Sequence, residues 1–188
     1  MEHLQLKEKK VIIDCHYTLS EALAGLQIPS DIKKDLRLVN VCYYSFDGKI
    51  HEGQLVIHKD LVNDIKTIFE VLENKKFPIK KVIPIAAYGW SDDSSMKDNN
   101  TSAFNYRVVE GTDRLSNHAY GRAIDINPWL NPQIKKDKVS PEGAVYNPKE
   151  PGTIIRNSIV VKTFLKHDWE WGGDWHSLKD YQHFEKTK

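Results

Sequence analysis

The chain reads as a single domain that mixes helices with antiparallel strands, and three observations predict it. A hairpin pattern runs from Leu38 to His58 around Asp47-Gly48. Two segments, Asp60 to Glu73 and Asn157 to His167, repeat apolar residues at helical spacing, and a short extended run, Tyr181 to Glu185, closes the chain. A length of 188 residues, 40% hydrophobic and 28% charged, fits one core that buries about 70% of the unfolded surface, so no second domain is required. Residues 1–37 form a preamble, and 38–188 hold the domain.

Within the preamble, Val11 to Ile13 is apolar, Ser20 stands where it could cap a short helix over Leu19 to Ala24, and Pro29-Ser30 marks a restart. The hairpin strands are Leu38 to Phe46 and Lys49 to His58, with His51 and His58 expected at the surface. In the first long helix Leu61, Ile65, Ile68, Phe69 and Leu72 share one face and Asp60 occupies the N-cap position. Phe77-Pro78 ends that helix, and Ile79 to Ala87 reads as a buried strand.

Ser91 to Asn105 is rich in Asp, Ser and Asn and reads as a long polar loop, placed to fold over whatever follows it. Beyond Asn127, Pro128, Pro132, Pro141, Gly143, Pro148, Pro151 and Gly152 predict an irregular loop. Asn157 is the expected cap of the second helix. The aromatic, glycine-rich run Trp169 to Asp174 turns the chain back towards its last strand.

With 27 basic and 26 acidic side chains the net charge is +1, which gives no electrostatic footprint for nucleic acid or an anionic membrane. No apolar run approaches the roughly 20 residues of a membrane span. Lys7-Glu8-Lys9-Lys10 precedes only three apolar residues, so no export signal is expected here; a cytoplasmic protein and a chain whose signal was removed both stay open. Cys15 and Cys42 lack metal-ligand or redox spacing and read as buried free thiols. Partners are therefore sought through a site, with a monomer the favoured state.

The richest chemistry lies in Leu115 to Asn127. It offers an imidazole at His118 and a carboxylate at Asp125, with Gly121 between them to turn the backbone. From Arg122 onward, strand alternation sends Ala123, Asp125 and Asn127 one way and Ile124 and Ile126 into a core. A half-buried strand with a hydrogen-bonded His and Asp would read the same way, and two ligands hold a catalytic metal poorly. His183, in the polar cluster Asp180 to Glu185, is the candidate third ligand, with His167 and His176 as rivals in less constrained frames. Two imidazoles and a carboxylate suit Zn2+ with a fourth position left open, the arrangement of hydrolytic sites.

Hydrolysis also needs a proton acceptor and a cation. Asp180, three residues before His183, is the candidate general base, with a turn-forming Asp as the bland alternative and Glu185 as the competing carboxylate. Glu185 also suits a hydrogen bond to a ligand histidine. Arg107, at the end of the polar segment, is preferred over Arg122 as the cation, because parity turns Arg122 away from Asp125; a surface ion pair is the alternative for Arg107. Trp169, Trp171 and Trp175 suit core closure better than a sugar platform.

Ser116-Asn117-His118-Ala119-Tyr120-Gly121-Arg122-Ala123-Ile124-Asp125 fits S-x-H-x-x-G-x-A-x-D, and Trp171-Gly172-Gly173-Asp174-Trp175 is followed by Asp180-Tyr181-Gln182-His183-Phe184. In that order the two signatures resemble the zinc D-alanyl-D-alanine carboxypeptidase family, which includes vancomycin-resistance dipeptidases and L-alanyl-D-glutamate endopeptidases. The resemblance extends from about Leu38 to Glu185. It implies an α+β fold in which an antiparallel sheet carries a zinc site and helices pack on one side.

It further implies His118, Asp125 and His183 as zinc ligands, Asp180 as base where many relatives have Glu, and peptidoglycan stem peptides as substrates, hence work in the cell envelope. Many relatives place a Tyr-Arg pair where this chain reads Tyr88-Gly89-Trp90, which leaves Arg107 to supply the cation. The implied activity is cleavage of an amide next to a D-residue, by a carboxypeptidase or an endopeptidase; a non-catalytic wall-binding module on the same scaffold is the alternative.

Overall fold

A computed structural model describes residues 10–187, so the run Lys7 to Lys9 lies outside the described residues. The hairpin forms as expected, with strands Leu36–Tyr44 and Ile50–His58 paired antiparallel from Leu36 opposite His58 to Tyr44 opposite Ile50. Its connection is longer than a two-residue turn: the Ser45 amide donates to the Lys49 carbonyl, and Gly48 takes φ +78°. A third strand, Val11–Ile13, adds in parallel to the Ile50–His58 strand.

Alternation gives this sheet two apolar faces. Val39, Val41, Tyr43, Leu55 and Ile57 face the main core, where Ile65, Ile68, Phe69 and Leu72 of helix Val62–Asn74 meet them. Each such fully buried side chain contributes roughly 1.5–3 kcal/mol. Leu36 and Val56 face the other way, onto Ala22, Leu23 and Ile32 of two short N-terminal helices, Leu19–Ala22 and Ser30–Lys33, and onto Phe104. Helices therefore cover both faces of the hairpin rather than one, and the described part of the 1–37 segment packs into the body.

Among the described residues, strand pairing is divided among four small sheets instead of one. The sheet that matters for chemistry has the Ala123–Asp125 strand beside His183–Glu185, which in turn pairs with Glu170–Trp171, all antiparallel. Its Ile124 and Phe184 point into the main core with Phe164, Trp169 and Trp171, so this layer is bolted down from below. The helix Ile159–Lys166 supplies Phe164, whose ring stacks on Phe184 at 4.0 Å.

Several local expectations are corrected. Thr18, not Ser20, caps the first helix, reciprocated by Glu21 in a capping box. Ser158, not Asn157, caps the last one. Asp60 sits inside a 3-10 turn, Lys59–Leu61, and spends its carboxylate on Arg122 at 2.8 Å. His58 is buried, not at the surface, with ring nitrogens facing Asp35, Asp60 and Arg122. His51 is half-buried and bonds Asp14 at 2.8 Å.

The expected Ile79–Ala87 strand shrinks to Lys81–Val82, because Pro84 lacks an amide hydrogen and opens a 3-10 turn over Ile85–Tyr88. Ser91 to Asn105 is not a loop: Ser91 caps a helix over Asp92–Lys97, and Asn100–Thr101 is a strand parallel to Lys81–Val82. The proline-rich stretch likewise hides a hairpin, Gln133–Lys135 with Lys138–Ser140, extended by Lys179–Asp180. Cys15 and Cys42 are not joined in a disulfide, and each is half-buried. Among the described residues no helix is long and apolar enough to cross a membrane.

Candidate metal centre

The Ser116 hydroxyl accepts from the His118 amide and caps a 3-10 turn over Asn117–Tyr120, which presents His118 inward. The turn ends at Gly121 with φ +64°, a left-handed conformation that side chains disfavour. A Cβ there would lie 2.7 Å from the His58 amide nitrogen, so Gly121 is needed for both conformation and space. Its carbonyl accepts from that same amide at 2.8 Å, tying the turn to the hairpin.

Two residues later the strand begins, and pairing sets His183 directly opposite Asp125. Ser102 locks the other edge of Asp125 by a reciprocal pair of backbone bonds, 3.1 and 2.9 Å. The once-expected polar loop thus does border the site, as ordered backbone.

Hydrogen bonding selects which nitrogen each imidazole turns to the centre. His118 donates Nδ1–H to the Ala103 carbonyl, leaving Nε2 as a lone pair. His183 donates Nε2–H to Glu185 Oε2 at 2.8 Å, leaving Nδ1. Glu185 is held in turn by Asn117 Nδ2 at 2.8 Å. The two remaining nitrogens are 3.1 Å apart; His183 Nδ1 is 2.9 Å from Asp125 Oδ1, and His118 Nε2 is 3.2 Å from Asp125 Oδ2.

Those three residues are buried and are the group of side chains, among the described residues, whose ligand atoms gather as a metal would require. Around a tetrahedral zinc with bonds of about 2.0–2.1 Å, neighbouring donors stand roughly 3.3 Å apart. The separation of the two imidazole nitrogens lies within a few tenths of an ångström of that value, each nitrogen is close to a different oxygen of Asp125, and the donor set of two imidazoles and a carboxylate fits Zn2+.

The electrostatics carry the same mark. Burial opposes charge on His183, yet its bonds to Asp125 and Glu185 outweigh it and push the imidazole up to about 10. Burial also opposes charge on Asp125, but the neighbouring His118 and His183 hold its carboxyl far below the usual range. Without a bound ion, His183 therefore keeps a proton on Nδ1, facing Asp125; an ion held by the cluster would take the place of that proton.

Asp180 enters from the Lys179–Asp180 strand. It is buried, and burial raises its carboxyl to about 6. Gln133 Nε2 donates to its Oδ2 at 2.7 Å, whereas Oδ1 is buried with no partner among the described residues. Gly172 lies against Asp180 and His183: a Cβ on it would meet the Asp180 carbonyl at 2.6 Å and the His183 Cβ at 3.3 Å. The Trp175 ring lies 5.2 Å from that of His183 and is half-buried, while Trp169 and Trp171 are core residues.

Not every candidate gathers here. Arg107 forms an ion pair with Asp92 at 2.9 Å, at the helix start within the polar segment, and its Nε is buried without a partner. Arg122 points away, as parity predicts, to Asp60 and the Lys186 carbonyl. His176 is exposed, and His167 faces Asp64 at 3.6 Å. Gln133, Asn117 and the Ala103 carbonyl escaped the sequence reading. Gln133 was hidden because its hairpin turns through Lys136 at φ +54° without a glycine to announce it.

Residues 110–186 match the model of the D-alanyl-D-alanine carboxypeptidase family. The resemblance expected from the two signatures is therefore borne out over the segment that holds His118, Asp125, Asp180 and His183, and it supports a hydrolase of the peptidase class. The matched segment begins after the hairpin and Arg107. No solved structure matches the chain.

Proposed function

We propose that the protein is a zinc-dependent peptidase that cleaves an amide next to a D-amino acid in peptidoglycan stem peptides, acting in the cell envelope. The observation that carries this reading is the convergence of His118 Nε2, His183 Nδ1 and the Asp125 carboxylate, each pre-set by a hydrogen bond or strand pairing. His118, Asp125 and His183 would hold the ion. Zinc bound there supplies a Lewis acid that polarises the scissile carbonyl and makes water more acidic.

Asp180 then acts as the base: it takes a proton from the attacking water and delivers it to the leaving amine as the C–N bond breaks. Burial holds its carboxyl above the usual carboxylate range, in the direction that suits a group that both takes and returns a proton. Arg107, held in an ion pair with Asp92 at 2.9 Å, is the candidate cation for the substrate carboxylate or the developing oxyanion.

Zinc content and hydrolysis of defined stems test the reading together. Purified protein is expected to bind one zinc, to release an amine from tetra- or pentapeptide stems, and to lose at least about a hundredfold in rate as Asp180→Asn. Product masses then separate trimming of a terminal D-residue from a cut inside the stem. Full activity in Asp180→Asn would overturn the assignment of the base, and wall binding with no new amine would instead indicate an inert module.

A further inference from the structure

We propose that Gln133 is a positioning residue for the hydrolysis: it anchors one oxygen of Asp180, so that the other, Oδ1, is the atom that exchanges protons with the reactants. This inference rests on the assignment of Asp180 as base. Three observations carry it. Gln133 and Asp180 are directly opposed in the antiparallel pairing of Gln133–Lys135 with Lys179–Asp180, so backbone pairing alone brings their side chains together. The Gln133 amide donates to Oδ2 at 2.7 Å. Oδ1 is left buried with no partner among the described residues, whereas each oxygen of Asp125, the other buried carboxylate among them, faces an imidazole nitrogen.

A buried carboxylate oxygen without a donor costs stability. Rotation about the Asp180 side chain would exchange the two oxygens, but Gln133 is a donor fixed by its strand and holds only one of them. The carboxylate plane is thereby set, and the free lone pairs belong to Oδ1. Backbone support continues on both sides. The Tyr181 amide approaches the Pro132 carbonyl at 3.4 Å, and the Tyr181 ring stacks on Tyr146 at 3.7 Å. The hairpin Gln133–Ser140, which the family match includes but the two signatures do not, thus acts as a brace for the base.

The test compares Gln133→Met, which keeps volume and removes the donor, with Gln133→Asn and with Asp180→Asn, all as zinc-loaded full-length protein on a defined stem peptide. Gln133→Met is expected to lower kcat by about ten- to a hundredfold while KM and zinc stoichiometry stay at wild-type values; the lost donor to a buried carboxylate should lower the melting temperature as well, so the split between kcat and KM and the zinc content carry the test. Gln133→Asn, with a shorter donor, should recover part of that loss. In an Asp180→Asn background the Met substitution should cost no further rate, because there is no base left to position.

A wild-type kcat in Gln133→Met overturns the inference, as does a loss of kcat matched by loss of zinc, a rise in KM in place of the fall in kcat, or an undiminished effect in the Asp180→Asn background. If instead Asp180→Asn itself retains full activity, the assignment of the base fails, and that result is distinct from a failure confined to Gln133.

Discussion

His118 Nε2 and His183 Nδ1 stand 3.1 Å apart although 65 residues separate them, and each is turned inward because its other ring nitrogen is already spent, on Ala103 and Glu185. A metal held there would depend on those two anchoring bonds.

Glu185→Ala removes the acceptor that fixes the His183 tautomer and ring. Zinc affinity is expected to fall about ten- to a hundredfold, read by competition with a chromophoric chelator. Glu185→Gln, which still accepts through its carbonyl oxygen, should lie between. Unchanged affinity in the alanine variant would remove Glu185 from the site.

His118→Ala is expected to abolish stoichiometric zinc and to lower the melting temperature in zinc-replete buffer, because a metal that binds only the folded state stabilises it. The same substitution should matter far less in chelator, where no metal stabilisation remains to be lost. Equal melting of wild type and variant in zinc would count against ligation.

Stability should depend on pH in opposite senses with and without metal. Without metal, His183 is raised from 6.5 to about 10, so its contribution is complete below 6.5 and is lost as pH climbs towards 10. Asp180, raised from 3.8 to about 6, favours the folded state while protonated and loses that contribution through pH 6. Asp125 is lowered, so its contribution is present above 3.8 and is lost only in stronger acid. Chelator-treated protein should therefore melt progressively lower from pH 6 to 9. Zinc needs unprotonated imidazoles and binds better over the same interval. The gap between the two melting curves should widen with pH; a constant gap would contradict this account.

Gly121→Ala places a side chain at φ +64° and 2.7 Å from the His58 amide nitrogen. The conformational part alone costs about 1–2 kcal/mol, and backbone cannot easily move aside. Chemical denaturation should show a loss of at least that size, with weakened zinc binding because His118 lies on the displaced turn.

Arg107→Gln should raise KM on stem peptides about tenfold or more if the guanidinium grips a substrate carboxylate, since bonds to charged groups are worth about 1.5–3 kcal/mol. Were the Asp92 pair its whole role, melting temperature would shift and KM would not.

The sequence by itself determined the metal candidates. His118, Gly121 and Asp125 had to fall on a turn followed by a strand, and His183 on another, because spacing and alternation are local properties. It also determined the hairpin and the apolar face of helix Val62–Asn74. Only the tertiary structure decided that Asp180 is held through Gln133, that Glu185 and Ala103 choose the imidazole nitrogens, and that Arg107 meets Asp92. The polar segment Ser91 to Asn105 shows the difference: composition predicts a loop, but Asn100 and Ser102 find partners in Ile83 and Asp125 and order it. Strand pairs and side-chain hydrogen bonds join residues tens of positions apart, and nothing local in the chain encodes which partner is within 3 Å.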